Sequence, residues 1–147
     1  MYEIFERHGI DTQSNVDDGV ELSHEQREKG RIKTTSNAGE EVRVFLERGK
    51  PLAINELLSS QCGKKIRVLG QIEQVTRATC EDWETFSKAC YHLGNRHVKI
   101  QVGEKWLRIL PDHVLEEMLQ QLGLSLVKEH AVFEPESGAY AHAHHDH

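Results

Sequence analysis

The chain has 147 residues, of which 37% are hydrophobic and 29% charged, with a formal net charge of −6. That is enough for one ordinary domain or two small ones, and no apolar run approaches the ~18 residues a membrane span needs. The acidic balance argues against a nucleic-acid partner, which requires a basic face. The N-terminus, with Glu3, Glu6 and Arg7 close together, does not resemble a secretory signal. Three cysteines, Cys62, Cys80 and Cys90, are an odd number with no CxxC spacing. A disulfide framework or a thiolate zinc site is therefore not expected, and the cytoplasm is. The outlying number is ten histidines.

Residues 1 to 70 read as strands. Tyr2 to Phe5 is a short apolar segment, Asp11 to Asp18 a polar loop, and Val20 to Leu22 a brief strand. His24 to Gly30 reads as a charged, solvated connection. Arg31 to Thr35 and Glu41 to Leu46 form the arms of a hairpin around Asn37-Ala38-Gly39. In the second arm Val42, Val44 and Leu46 alternate with Glu41, Arg43 and Glu47, a half-buried pattern. Leu52 to Ser60 fits strand or short helix equally. Ile66 to Leu69 is a strand, and Gly70 a plausible hinge.

From residue 71 the pattern changes. Ile72 to Arg77 is a strand and Asp82 to Leu93 a helix, with Trp83, Phe86, Cys90 and Leu93 on its inner face. Gly94 and Asn95 are expected to end it. His97 to Val102 alternates with period two, which predicts a strand with His97 on the polar side. Trp106 to Leu110 is another strand. Pro111 suits a first helical position and Asp112 the first turn. Leu115, Met118, Leu119 and Leu122 make the stripe of a second helix, which Gly123 ends. A last strand lies within Leu124 to Phe133. The order strand, helix, strand, strand, helix, strand is the ferredoxin-like pattern. The fold class is therefore α+β: a small all-β N-terminal domain (1-70), a ferredoxin-like domain (71-136) and a flexible histidine-rich tail (137-147).

That tail holds His142, His144, His145 and His147 with no apolar pattern. Neutral imidazole suits nickel, zinc and copper, and histidines spaced by one residue in a loose chain can fold round one ion. A solvated tail or an expression tag is the bland alternative, but the spacing is not a plain run of six. His97 stands at the mouth of a strand, where a lone histidine is more often a surface residue. One imidazole is too few for an ion, so a two-fold axis near this strand would have to bring two copies together. His92 lies on a polar helix face between Lys88 and Arg96, and His113 lines up with Glu116 and Glu117. Both are secondary candidates. His8, His24 and His130 read as surface or loop residues. There is no GxSxG, no HExxH and no phosphate loop, and no nucleophile stands beside an oriented base, so an enzyme is not expected.

Several segments together resemble the urease accessory protein UreE family, the nickel metallochaperones. They are Ala89-Cys90-Tyr91-His92-Leu93-Gly94-Asn95-Arg96-His97, Leu107-Arg108, Asp112-His113-Val114-Leu115, Met118-Leu119, Gly123-Leu124, and Phe133-Glu134-Pro135-Glu136 with Gly138-Ala139-Tyr140. The likeness in the first half is looser: Gly30-Arg31, Val42, Leu46 and Arg48-Gly49. The resemblance implies an N-terminal domain for partner or peptide contact and a C-terminal domain that forms a homodimer. It implies that His97 is the interfacial metal ligand, completed by tail histidines, with His92 and His113 at secondary sites. Pro111 departs from the pattern, because some relatives carry a further histidine there. The implied cargo is Ni2+, although Zn2+ and Cu2+ suit the same imidazoles. The implied partners are the accessory GTPase UreG and the apo-urease complex. A histidine-rich store or buffer without delivery is the alternative function.

Overall fold

The structure is a computed structural model and describes residues 1–137. The chain divides into two compact units, the first Met1–Gln71 and the second beginning at Ile72.

The first unit holds β1 (Tyr2–Ile10), β2 (Asp18–Leu22), α1 (His24–Glu28), β3 (Arg31–Thr35), β4 (Glu41–Phe45), β5 (Glu56–Ser60) and β6 (Lys65–Gly70). The strands form one sheet in the order β2-β6-β5-β1-β4-β3. The expected hairpin is present, with Ile32 opposite Val44 and Thr34 opposite Val42. Alternation does what it should: Ile4, Val20, Leu22, Ile32, Val42, Val44, Leu58, Ile66 and Val68 point into one core. The ambiguous segment resolves as β5. Gly30 is fixed by close approach, since a Cβ there would lie 2.3 Å from the Leu46 carbonyl oxygen.

Two expectations fail in this unit. The connection from His24 is a helix, because Ser23 caps it. Gln26 N donates to Ser23 Oγ at 3.2 Å, and Ser23 N donates to Gln26 Oε1 at 2.9 Å. His24 is buried rather than superficial, with Nε2 2.7 Å from Glu28 Oε1. Arg27 is also buried and donates to the Leu22 carbonyl at 2.8 Å. The charged residues hid a helix whose stem packs inward.

The second unit holds β7 (Ile72–Thr79), α2 (Trp83–Asn95), β8 (Gln101–Val102), β9 (Trp106–Ile109), α3 (His113–Leu122) and β10 (Ser125–Val132). Its sheet runs β10-β7-β9-β8, and every pair is antiparallel. Both helices contribute to one core with the sheet: Phe86, Ala89 and Leu93 from α2, and Leu115 and Leu119 from α3, against Ala78, Leu107 and Ile109. The Thr76 hydroxyl donates to Glu116 of α3 at 3.2 Å, so that face of β7 looks toward the helices. By alternation Arg77 points the other way. There Arg108 Nε lies 2.8 Å from Glu129 Oε1, Arg77 Nε lies 3.8 Å from it, and the Arg108 guanidinium covers the Trp106 ring at 4.9 Å.

Three local expectations are corrected here. Pro111 is not the first helical residue; Asp112 is the cap, accepting from Leu115 N at 3.1 Å. The strand expected from His97 shrinks to Gln101–Val102, because residues 96–100 make a turn and an irregular stretch. Nor does Gly94 end α2: the helix continues through Asn95, and the left-handed residue is His97 itself.

Candidate metal centre

The end of α2 sets the geometry of the site. Val98 N donates to Leu93 O at 3.1 Å and His97 N donates to Gly94 O at 3.0 Å, so two otherwise orphaned carbonyls are satisfied by one reversed turn. Leu93 is fully buried and Val98 packs against the same core, which clips the turn down. Such a turn needs a left-handed residue in its middle, and His97 supplies it with φ at 56°. α3 ends the same way, with Leu124 N donating to Leu119 O at 3.0 Å around Gly123, whose φ is 104°. In one case the strained position carries glycine, which adopts it freely. In the other it carries an imidazole, at a conformational cost of about 1 kcal/mol. The result is an exposed ring on a rigid stub, which no hydrogen bond or ion pair ties to any described residue.

His92 is exposed in the last turn of α2, with its ring centroid 5.4 Å from that of the exposed Tyr91. His113 is the first residue of α3 and lines an open cleft of about 430 Å³ with Thr76, Glu116, Glu117, Gln120, Leu126 and Lys128. Its neighbour Glu116 is already committed. One carboxylate oxygen accepts from the Asp112 amide at 3.0 Å and from Thr76, and Lys128 also lines the cleft, which opposes cation capture there. Among the described residues, no group of three or more histidines, cysteines or carboxylates is placed to hold a metal ion. His97, His92 and His113 are thus not gathered into one site within a single chain. His142, His144, His145 and His147 lie outside the described residues.

The thiols add no ligand set. Burial pushes Cys80 and Cys90 up, away from the thiolate a metal needs. Cys62 is exposed, and its thiol is lowered by the Ser60 hydroxyl beside it at 3.1 Å and by Lys64.

One element of the site was not expected. After β10, at one edge of the sheet, the chain reaches the start of β8 at the other. Glu136 N donates to Ile100 O at 2.7 Å, and Glu134 N donates to Gln101 Oε1 at 3.2 Å. Phe133 before them is fully buried. The root of the tail is thereby pinned three residues along the chain from His97. An apolar anchor followed by Pro135 was the available signal, but one backbone bond to Ile100 and one to the Gln101 side chain leave no periodicity to read.

Two family models match. "UreE urease accessory protein, N-terminal domain" covers residues 2–70, and "UreE urease accessory protein, C-terminal domain" covers residues 73–147. The chain belongs to the UreE urease accessory protein family. A urease accessory protein UreE of Marinomonas sp. (strain MWYL1) is 60% identical over 147 residues, the whole of both chains. Proteins of the same name from Alteromonas mediterranea and Psychromonas ingrahamii are 54% and 46% identical, covering 90% and 100% of this chain and 86% and 96% of theirs. Family membership makes this chain an accessory chaperone in urease maturation, with a metal-related role alongside that machinery, and not an enzyme. Among the described residues no helix is long and apolar enough to cross a membrane.

Proposed function

We propose that the chain is a nickel carrier for urease assembly, in which His97 from two copies forms a fixed half-site and tail histidines complete the shell around the ion. One observation carries the reading: His97 occupies a left-handed position that glycine fills at the matching end of α3, and its ring is exposed. Glycine would make this turn at less cost, so the strain of the outward-facing imidazole is read as the cost of presenting a ligand. Membership of the family supports the role in maturation, and the tail root beside β8 supports the participation of His142, His144, His145 and His147. The six residues from Glu136 to His142 span at most ~22 Å, and the three from His97 to Ile100 at most ~11 Å, so the covalent chain permits contact.

The homodimer is supported by apolar side chains left exposed on the two helices, Tyr91 at 65% and Val114 at 62%. The ferredoxin-like reading of residues 71–136 is supported by the strand order, in which the first strand of the unit, β7, pairs with the last, β10, and with the third, β9. The first unit is read as the surface that meets UreG or the apo-urease complex. His92 and His113 are read as secondary ligands, His113 the weaker because Glu116 is engaged elsewhere. Imidazole donors accept Ni2+, Zn2+ and Cu2+ alike, and the choice of nickel rests on the family. The paucity of cysteines favours the cytoplasm.

Nickel titration with size measurement tests this. Intact protein is expected to pair and bind nickel, and His97→Ala to lose the ion shared between two copies. Unchanged stoichiometry in His97→Ala defeats the shared site. Transfer of the ion to UreG separates delivery from storage: a store holds nickel equally well but does not pass it on.

A further inference from the structure

Among the described residues, nothing explains why position 94 is glycine. Gly94 lies within α2, one residue before its last, and its φ is not left-handed. A Cβ there would meet no atom of the described fold within 4 Å. Gly30 and Gly103 differ: a Cβ would lie 2.3 Å from the Leu46 carbonyl oxygen at the first and 2.0 Å from the Trp106 ring at the second. Glycine is the least favourable helical residue after proline, because its backbone has the most freedom to lose. Alanine at 94 would remove that cost and, within one chain, collide with nothing. The position also borders the candidate ligand, since the Gly94 carbonyl accepts from His97 N at 3.0 Å. Tyr91 stands one turn back, and residues three apart are neighbours on a helix surface. Both are exposed, and the Tyr91 ring rests edge-on against His92 at 5.4 Å. A bulky ring and a bare stretch of backbone thus lie side by side next to His97.

We infer that Gly94 is a positioning residue for the shared metal site: it receives Tyr91 of a second copy and so sets how closely the two His97 turns approach. This rests on the proposed pairing of His97 across a two-fold axis. Such an axis sets one patch against itself, so every contact is made twice. A patch that carries both a projecting ring and a gap beside it is complementary to its own rotated copy. Each Tyr91 then fills the space over the other copy's Gly94, where a missing Cβ lets ring and backbone come together. Gly94 touches no ion and acts only through the spacing of the two imidazoles.

The test is sedimentation equilibrium of the full chain, with and without nickel. One added methyl overpacks two symmetric contacts, so Gly94→Ala is expected to weaken pairing at least ~10-fold. The nickel ion shared between two copies is expected to be lost with it, at concentrations where the unaltered chain pairs. Thermal unfolding at a dilution where both chains are single is expected to show Tm unchanged or raised, as helix propensity requires. The deciding arm is a double-mutant cycle. In a Tyr91→Ala background the methyl at 94 has no ring to meet, and Gly94→Ala is expected to weaken pairing less than ~3-fold. Unchanged pairing in Gly94→Ala overturns the inference. So does an equal loss in both backgrounds, which would mean that Tyr91 is not what Gly94 receives. A lower Tm of the single chain overturns it too, because the glycine would then serve its own helix. If the unaltered chain stays single even when loaded with nickel, the two-copy reading of His97 fails and this inference with it. A Gly94→Ala chain that pairs and shares nickel normally defeats this inference alone.

Discussion

His97 sits on a reversed turn that glycine would make without strain, and Gly123 makes the same turn at the end of α3. The pair provides an internal comparison. His97→Gly is expected to stabilise the fold by about 1 kcal/mol, a rise in Tm of roughly 2–4 °C, while removing the ligand. Thermal denaturation in metal-free buffer measures the first effect and nickel titration the second. A fall in Tm would mean that the ring is held by packing and the strain is not the price of function. The position also shows what a sequence conceals. Gly94 and Asn95 are better helix stops by composition, and period-two alternation from His97 mimics a strand. The turn was decided instead by Leu93 and Val98, whose shared burial requires the chain to reverse between them.

At the scale of elements, an ion pair with a buried carboxylate crosses from β1 to β5 in the first unit. Arg7 Nη2 lies 2.7 Å from Glu56 Oε1 and also donates to the Pro51 carbonyl at 3.0 Å, while Nη1 donates to the Lys50 carbonyl at 2.8 Å. Glu56 is 3% exposed and also accepts from Ala53 N at 3.0 Å. Burial works to raise its carboxyl, but the Arg7 and Ala53 donors outweigh it and hold the group below the usual range. A carboxyl lowered on folding contributes stability that is full above its unfolded pKa of ~4.3 and is lost as pH falls through the depressed folded value. Arg7→Ala strands the carboxylate and is expected to cost about 3 kcal/mol at neutral pH, read from urea unfolding of the intact chain. The acid-induced loss below pH ~4 is expected to shrink in that variant, because the group it depends on is no longer favoured as an anion. None of this was legible beforehand. Asn55 and Glu56 stood in an ambiguous stretch, and a pair separated by 49 residues leaves no local pattern. The hairpin β3–β4, β6 and the stripe of α3 were legible because their burial is periodic. α1 was not, because its buried side chains are His24 and Arg27.

For the molecule as a whole, metal capture is expected to follow imidazole chemistry. Ligation requires neutral nitrogen, so protons compete, and nickel affinity is expected to fall as pH drops through ~6.5, the usual imidazole value. Titration between pH 8 and pH 5.5 checks this. Affinity that is flat across the range would exclude histidine as the dominant donor. The mixed α+β architecture could be read from the switch in period near residue 70, and the strand order could not, because pairing between distant strands is fixed by packing rather than by neighbours.

That strand order bears on how the protein is made. In each sheet an early strand lies inside and waits for a late one: β1 for β5, β7 for β10. The ribosome must therefore release nearly a whole unit before its sheet can shut, and each unit closes in one late event instead of growing turn by turn. The histidines from His142 onward are translated only after every described strand of the second unit has been synthesised.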